Sequence, residues 1–490
     1  MQQQIPDVTI LTKPRPGSLM SIQPQSFYQL TSHFVHQILS SKAAEVGLAF
    51  TSDTLELAAA SATGPGNEAS RMPRRLALHH DDPNIPSLLQ KIDLSETRSL
   101  AVSGKVSIGV PMDKFVNLVV LDVEGWENFG DDDLVHICRS KMFFLKYLCI
   151  KRTRVCRLPP EIKELCSLEI LDASCTQITE LPLEVFVATT LETLDLRGTP
   201  IRQLTMPKIR LQNSLQHLLL GGEGMITATR VPHDIQFFWE LKTLATIDLS
   251  EQTASFVSAL GGLERLRVLA ITWSFQQSSD RDYCEAFLSS IKSWSGLESL
   301  TVHCGLGCSM EFLSSLSDMS LKLKTFKVTV GRFAGVPQWF QKLMCLSFVQ
   351  ITVCKLGAHD LDILGDLPIL KRLVLGLDFI PGEAIVIGKE GFRELKRFSI
   401  DCPLPWLTFE SGAMPMLTYL QLDFRACPTS PISVPSGISN LSSLEEVALR
   451  YNVRYTNSCS VKMTVEAVRK EVAKRRNTSQ LGDRPFYQWP

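Results

Sequence analysis

Three consecutive stretches within residues 145–204, LKYLCIKRTRVCRLPPEI, LEILDASCTQITELPLEV and LETLDLRGTPIRQL, superimpose position by position. Each opens on leucine, at Leu145, Leu168 and Leu191. Apolar residues follow at +3 and +5: Leu148 and Ile150, Leu171 and Ala173, Leu194 and Leu196. Threonine stands at +8 (Thr153, Thr176, Thr199), a branched aliphatic at +10 (Val155, Ile178, Ile201) and leucine at +13 (Leu158, Leu181, Leu204), with Pro159 and Pro182 after the first two of these leucines. Alternation at +3 and +5 describes a short strand with one apolar side. So short a strand cannot bury that side alone, whereas copies stacked sideways form a parallel sheet with one continuous core behind it. The threonine at +8 is placed to bond backbone where the chain leaves the strand. The Leu-Pro that follows fixes φ and turns the chain along the back of the stack.

The triplet recurs fourteen times, beginning at Leu118, Leu145, Leu168, Leu191, Leu215, Leu244, Leu266, Leu297, Leu323, Leu346, Leu370, Leu395, Leu417 and Leu444. The mean step of about 25 residues is that of a leucine-rich repeat. The expected fold is therefore an α/β leucine-rich-repeat solenoid, a horseshoe of about 14–15 repeats with a parallel concave β-sheet and an irregular or short-helical convex side. Further turns are expected at Val231-Pro232, Val336-Pro337 and Val434-Pro435. A degenerate first repeat opens at Thr97, as suits the end of a stack. Two steps are long, 29 residues from Leu215 and 31 from Leu266. The second holds Phe287, Leu288, Ile291 and Trp294 at helical spacing, which predicts a helix packed on the core. Val465, Val468 and Val472 place a capping helix after the last strand. Residues 1–70 carry no repeat, have one apolar-periodic stretch over 27–44 and are expected to be poorly ordered. Residues 71–460 form the solenoid and 461–490 the capping helix and tail.

Bulk properties exclude several classes. With a net charge of −1 there is no general reason to expect nucleic acid as a partner. No apolar run approaches the roughly 18 residues a membrane span requires, and the N-terminus lacks a secretory pattern. The 13 cysteines, an odd number, then read as reduced thiols in a cytoplasmic or nuclear compartment. Cys149 and Cys175 occupy repeat slots as small packing residues. Cys304 and Cys308 have no second pair for zinc. Ser103-Gly104-Lys105-Val106 lacks the first glycine and the closing hydroxyl of a phosphate-binding loop, so no nucleotide is expected. Neighbouring side chains in His79-His80-Asp81-Asp82 point apart and suit a strand end and polar turn better than a metal site. Lys474-Arg475-Arg476 reads as a solvated helix face. The chain is expected to be no enzyme and to carry no cofactor.

What remains is surface. Positions +1, +2, +4, +6 and +7 are expected to face out of the sheet, free to specify a partner. At +4 stand Asp122, Asp172, Asp195 and Asp248, a column interrupted by Cys149 and Leu219. At +6 stand Glu124, Lys151, Arg197, His303, Asp401, Asp423 and Arg450, with Trp126, Trp273, Phe424 and Tyr451 as aromatic candidates near the same face. Aromatic and arginine side chains typically anchor protein interfaces.

Residues 71–476 together resemble the C-terminal leucine-rich-repeat region of plant intracellular immune receptors, the coiled-coil nucleotide-binding proteins of grasses above all. The residues that carry the likeness are Arg74-Arg75-Leu76-Ala77-Leu78-His79, Thr97-Arg98-Ser99-Leu100-Ala101-Val102-Ser103-Gly104, Leu145-Lys146-Tyr147-Leu148, Leu158-Pro159-Pro160-Glu161-Ile162 and Glu466-Ala467-Val468-Arg469-Lys470. In that family a nucleotide-binding module ending in a Val/Met-His-Asp motif precedes the repeats. Here Val35-His36-Gln37 lacks the aspartate and the other nucleotide motifs are missing, so residues 1–70 read as a remnant of that module at most. The resemblance implies protein recognition in defence, the partner being a pathogen effector, a guarded host protein or a partner immune-receptor domain. Two other readings stay open: a scaffold similar to plant Ras-group repeat proteins, whose period is near constant, and a ubiquitin-ligase substrate receptor, which needs an F-box that residues 1–70 do not display.

Overall fold

Leu148, Leu171 and Leu194 lie opposite one another in adjacent parallel strands, Tyr147–Cys149, Ile170–Asp172 and Thr193–Asp195, and all three are fully buried. Stacked apolar triplets therefore hold the molecule together, each leucine contributing about 1.5–3 kcal/mol on burial. The structure is a computed structural model that describes residues 7–13, 50–55, 73–79, 84–106, 110–206, 214–221, 228–250, 252–316, 322–425, 432–452 and 459–478. The stretch 27–44, Val35-His36-Gln37 and His80-Asp81-Asp82 lie outside them.

The chain divides into two units, residues 19–271 and residues 272–490 with 1–18. In the first, strands Phe50–Thr51, Arg75–Leu78, Ser99–Val102, Val120–Asp122, Tyr147–Cys149, Ile170–Asp172, Thr193–Asp195, His217–Leu219 and Thr243–Asp248 pair in succession, all parallel. Two of these rungs precede the repeat at Thr97, and Phe50–Thr51 lies before the expected boundary at residue 71. Thr97 fills a leucine slot because its buried hydroxyl donates to the Pro73 carbonyl of the neighbouring rung at 2.6 Å. In the second unit, Ser299–Cys304, Thr325–Phe333, Phe348–Val353, Arg372–Leu377, Arg397–Cys402, Tyr419–Phe424 and Glu446–Asn452 form a parallel series. Strand Asp7–Lys13 pairs in parallel with Glu446–Asn452.

The backs of the repeats follow from proline and from apolar spacing. Pro159, Pro232 and Pro337, with φ of −78°, −72° and −60°, each open a short 3-10 turn: Pro160–Glu164, His233–Phe237 and Gln338–Lys342. Helix Arg281–Ser293 fills the 31-residue step. The Asp280 carboxylate caps it by accepting the Tyr283 N–H at 3.1 Å, and Phe287, Ile291 and the adjoining Trp294 are buried. Helix Cys459–Thr478 buries Val465, Val468 and Val472, and its Glu471 accepts the hydroxyl of Ser439 at 3.2 Å.

Thirteen of the fourteen expected leading leucines stand in register; Leu244 does not. Its strand pairs Leu244 with Leu218 and Ala245 with Leu219, so Leu241 leads that repeat and Leu244 fills the +3 slot. The carbonyl of Lys242 confirms the frame by accepting the N–H groups of Arg267 and Val268, next to the following leader Leu266. The misreading has a physical cause. Thr246 adopts a left-handed φ of 56° and forms a bulge, which returns Ile247 and Leu249 to the core and creates a second apolar triplet.

Strand length differs between the units, and in most repeats the conformation at +7 differs with it; Val330, left-handed at φ 67° and exposed at +7 of the nine-residue strand Thr325–Phe333, is an exception that coincides with a register shift. In the short rungs of the first unit the +7 residue turns left-handed: Gly125, Arg152, Cys175 and Gly198 have φ of 68°, 55°, 57° and 73°. Their N–H groups still reach the next rung, as from Cys175 to the Arg197 carbonyl at 2.7 Å. One residue later, buried Thr153, Thr176 and Thr199 donate their hydroxyls to the carbonyls of Ile150, Ala173 and Leu196 at 2.7, 2.8 and 2.7 Å. In the second unit most strands run six residues, and +7 shares the parity of +3 and +5. Trp273, Cys304, Val353, Leu377, Cys402, Phe424 and Tyr451 are accordingly buried there.

Two substitutions test the short-rung turn. A Cβ at Gly198 would lie 2.9 Å from the Cys175 sulfur, whereas one at Gly125 would meet nothing within 4 Å. Gly125→Ala is expected to cost about 1 kcal/mol from backbone strain alone. Gly198→Ala should cost measurably more, read as a larger fall in the urea midpoint. Thr176→Val should destabilise by about 1–3 kcal/mol through its stranded carbonyl, while Thr176→Ser keeps the bond and loses less in the same titration.

Candidate functional site

In the first unit the +4 side chains form a column across the open face of the sheet, with Asp122, Cys149, Asp172, Asp195, Leu219 and Ala245 in successive register. Asp248, expected in this column, is not part of it; the bulge moves it past the slot that Ala245 fills. Each aspartate does the same local work. Asp122, Asp172 and Asp195 accept the N–H groups of Glu124, Ser174 and Arg197 at 2.9, 2.9 and 3.0 Å, and Asp248 accepts that of Ser250 at 2.9 Å. A carboxylate bonded to the backbone two residues ahead shapes the exit from the strand. The column is thus partly a set of turn formers.

Its electrostatics are those of a crowded face. Burial holds the Asp172 carboxyl above its usual range; hydrogen bonds from Ser174 oppose this and the nearby charge of Asp195 adds to it. Burial also pushes the Cys149 thiol up to about 12, with Asp122 and Asp172 contributing, so it is no nucleophile at neutral pH. Cations answer the acids. Glu124 meets Lys151 at 3.2 Å and Arg152 at 3.3 Å. Arg197 grips Asp195 of its own strand through Nε and Nη2, at 3.0 and 2.5 Å.

In the second unit the expected +6 residues also find partners within the fold. Asp401 meets Arg425 at 3.4 Å, and Asp423 lies 3.9 Å from Arg450 while accepting an N–H of Gln421 at 3.1 Å. His303 sits 3.0 Å from the Thr329 hydroxyl; burial, then the charge of Lys327, lowers its pKa to about 4, so it is neutral at physiological pH. The four aromatic candidates are not exposed. Trp126 occupies the buried +8 slot that threonine fills elsewhere, donating its indole N–H to the Val106 carbonyl at 2.6 Å. Trp273, Phe424 and Tyr451 stand at +7 of long strands and face the core, Trp273 packing on Tyr283, Phe287 and Phe312 and Phe424 on Tyr451. Strand alternation carried two residues further would have placed these three inside.

Sequence reasoning missed a second column. At +2 of four successive strands stand Phe348, Arg372, Arg397 and Tyr419, paired in register. The Arg372 guanidinium lies 5.0 Å from the Phe348 ring centre and that of Arg397 4.5 Å from the Tyr419 ring. Lys327 stands at +4 one strand before Phe348. Reading the +2 slots down the repeats, as was done for +4 and +6, would have exposed them.

Among the described residues no group of three or more His, Cys, Asp or Glu side chains is placed to hold a metal ion, and no helix is long and apolar enough to cross a membrane. Cys304 lies against the sulfur of Met310 at 3.4 Å and Cys308 against the Trp273 carbonyl at 3.5 Å, both buried in packing.

Comparison with known proteins agrees with this architecture. The family described as a leucine-rich repeat region matches residues 96–189 and 176–481. Disease resistance protein Pik-2 of Oryza sativa subsp. japonica is 26% identical over 426 residues, which are 79% of this chain and 40% of that protein. From the same organism, disease resistance protein RGA5 is 28% identical over 84% of this chain and 35% of its own, and disease resistance protein Pik-1 is 30% identical over 85% and 37%. The chain thus spans about two fifths or less of the length of these relatives, and the expected likeness to the leucine-rich-repeat region of grass disease resistance proteins holds. With the match covering most of its length and the rungs repeating as that pattern requires, the chain belongs to the leucine-rich repeat region family.

Proposed function

We propose that this chain is a non-enzymatic protein-recognition module of the plant defence response, acting in the cytoplasm through the open face of its sheet. Its partner is a pathogen effector, a guarded host protein or a domain of a partner immune receptor. The carrying observation is the division of labour within each rung. The +3 and +5 side chains are consumed by the core, while those at +2, +4 and +6 form columns on the opposite side of the sheet. Kinship with rice disease resistance proteins supports the defence setting. Steps of 22 to 31 residues between leading leucines disfavour the Ras-group scaffold, whose period is near constant.

The test is affinity capture from pathogen-challenged tissue with tagged chain. A variant carrying Lys151→Ala and Arg197→Ala on the open face is expected to lose a recovered protein partner about fivefold to tenfold. Lys292→Ala, on helix Arg281–Ser293 away from the sheet, should retain it. Loss with the helix variant and retention with the open-face variant would reject the reading, and recovery of a Skp-type adaptor would favour a ubiquitin-ligase receptor instead.

A further inference from the structure

The open face of the second unit carries a cluster of positive charge. Other cations on or near this face are matched: Lys324 with Glu298 at 2.7 Å, Arg332 with Asp378 at 3.0 Å, Arg425 with Asp401 and Arg450 with Asp423. Arg372 and Arg397 are direct neighbours in register on adjacent parallel strands, about 4.8 Å apart along the hydrogen-bonding direction. Lys327 lies near enough that the positive charge of Arg372, after burial, helps to lower its pKa; burial and then Arg397 do the same to Arg372. Among the described residues no carboxylate forms an ion pair with any of the three. Like charges set side by side across strands oppose folding, and here they are held by aromatic faces rather than by counter-charge.

From this geometry we infer that Lys327, Arg372 and Arg397, framed by Phe348 and Tyr419, form a docking site for a short acidic segment of a partner protein. The inference rests on the open face being a recognition surface and adds which part of it is used and what chemistry it takes. Arg372 lies against Phe348 and Arg397 against Tyr419, on opposite sides of the pair, which draws the two guanidinium groups apart. Carboxylates two residues apart in an extended peptide are about 7 Å apart, a spacing that lets each meet one guanidinium as a charge-assisted pair. The rings restrict arginine motion beforehand and offer apolar surface to the aliphatic stems of Glu or Asp. A longer polyanion fits less well. Asp401, Asp423 and Glu446 share this face and would repel a nucleic-acid backbone leaving the cluster, and the whole chain is not basic.

The experiment measures fluorescence anisotropy of a labelled peptide of alternating Glu and Ser against the full chain at low and physiological salt. Comparators are an alternating Lys and Ser peptide and an oligouridylate of matched charge. The acidic peptide should bind, more weakly as salt rises, and the Lys peptide should not. Arg372→Gln with Arg397→Gln should weaken binding about tenfold. Lys146→Gln with Arg265→Gln, which removes the same charge from cations paired elsewhere with Glu169 and Glu240, should change it little. Urea midpoints no lower for the Arg372 and Arg397 variant than for the parent would show that its loss is not unfolding. Equal effects of both double variants, no binding of the acidic peptide, or tighter binding of the oligouridylate would overturn the inference. If that happened while Lys151→Ala with Arg197→Ala still lost its captured partner, protein recognition would stand and only the acidic docking site would fall.

Discussion

Every rung in this molecule depends on the next through one repeated backbone arrangement. The carbonyl after most leading residues accepts two N–H groups from the following repeat: Lys146 accepts from Glu169 and Ile170, Glu169 from Glu192 and Thr193, Lys371 from Lys396 and Arg397. That fork sets the register, and the register puts leucine against leucine. A single rung has neither a paired backbone nor a buried face without its neighbours. Irregularity is therefore admitted only between forks: a 13-residue helix after Leu266, a bulge at Thr246, a register shift between Lys327 and Arg332.

The extent to which this was legible in the sequence follows from how strongly each feature is coupled to the core. Leading leucines, prolines and the +8 threonines are tied to burial or to backbone bonds, so their spacing announces them. Leu244 was misread because a bulge makes 241, 244, 247 and 249 all buried, leaving two frames equally apolar. Trp273, Phe424 and Tyr451 were misplaced because one turn geometry was extended to every repeat, although the left-handed turn residues Gly125, Arg152, Cys175 and Gly198 belong to short rungs and these three to long ones. Arg372 and Arg397 were passed over for another reason. A charged residue at an outward slot satisfies the pattern whatever it does, and only its neighbours in register distinguish solvation from a cluster.

Charge is arranged differently on the two open faces. In residues 19–271 the aspartates serve the backbone first, Asp195 is also answered by Arg197, and Glu124 by Lys151 and Arg152, so much of the charge on this face is compensated within it. Such pairs contribute little stability when exposed. In residues 272–490 the aromatic rings take the place of counter-ions for Arg372 and Arg397. A surface that compensates itself discriminates by shape and hydrogen bonding, whereas one that leaves charge unanswered attracts by field.

Strand length also sets the breadth of ground offered to a visitor. Where the chain swings left-handed after three residues, each rung presents a band about 10 Å tall; where it stays extended for six, the band is about 20 Å. The first is narrow enough that anything broad must also touch the loops at its borders, while the second can seat a strand-like guest wholly within its own width. Strand length is in this protein a footprint control.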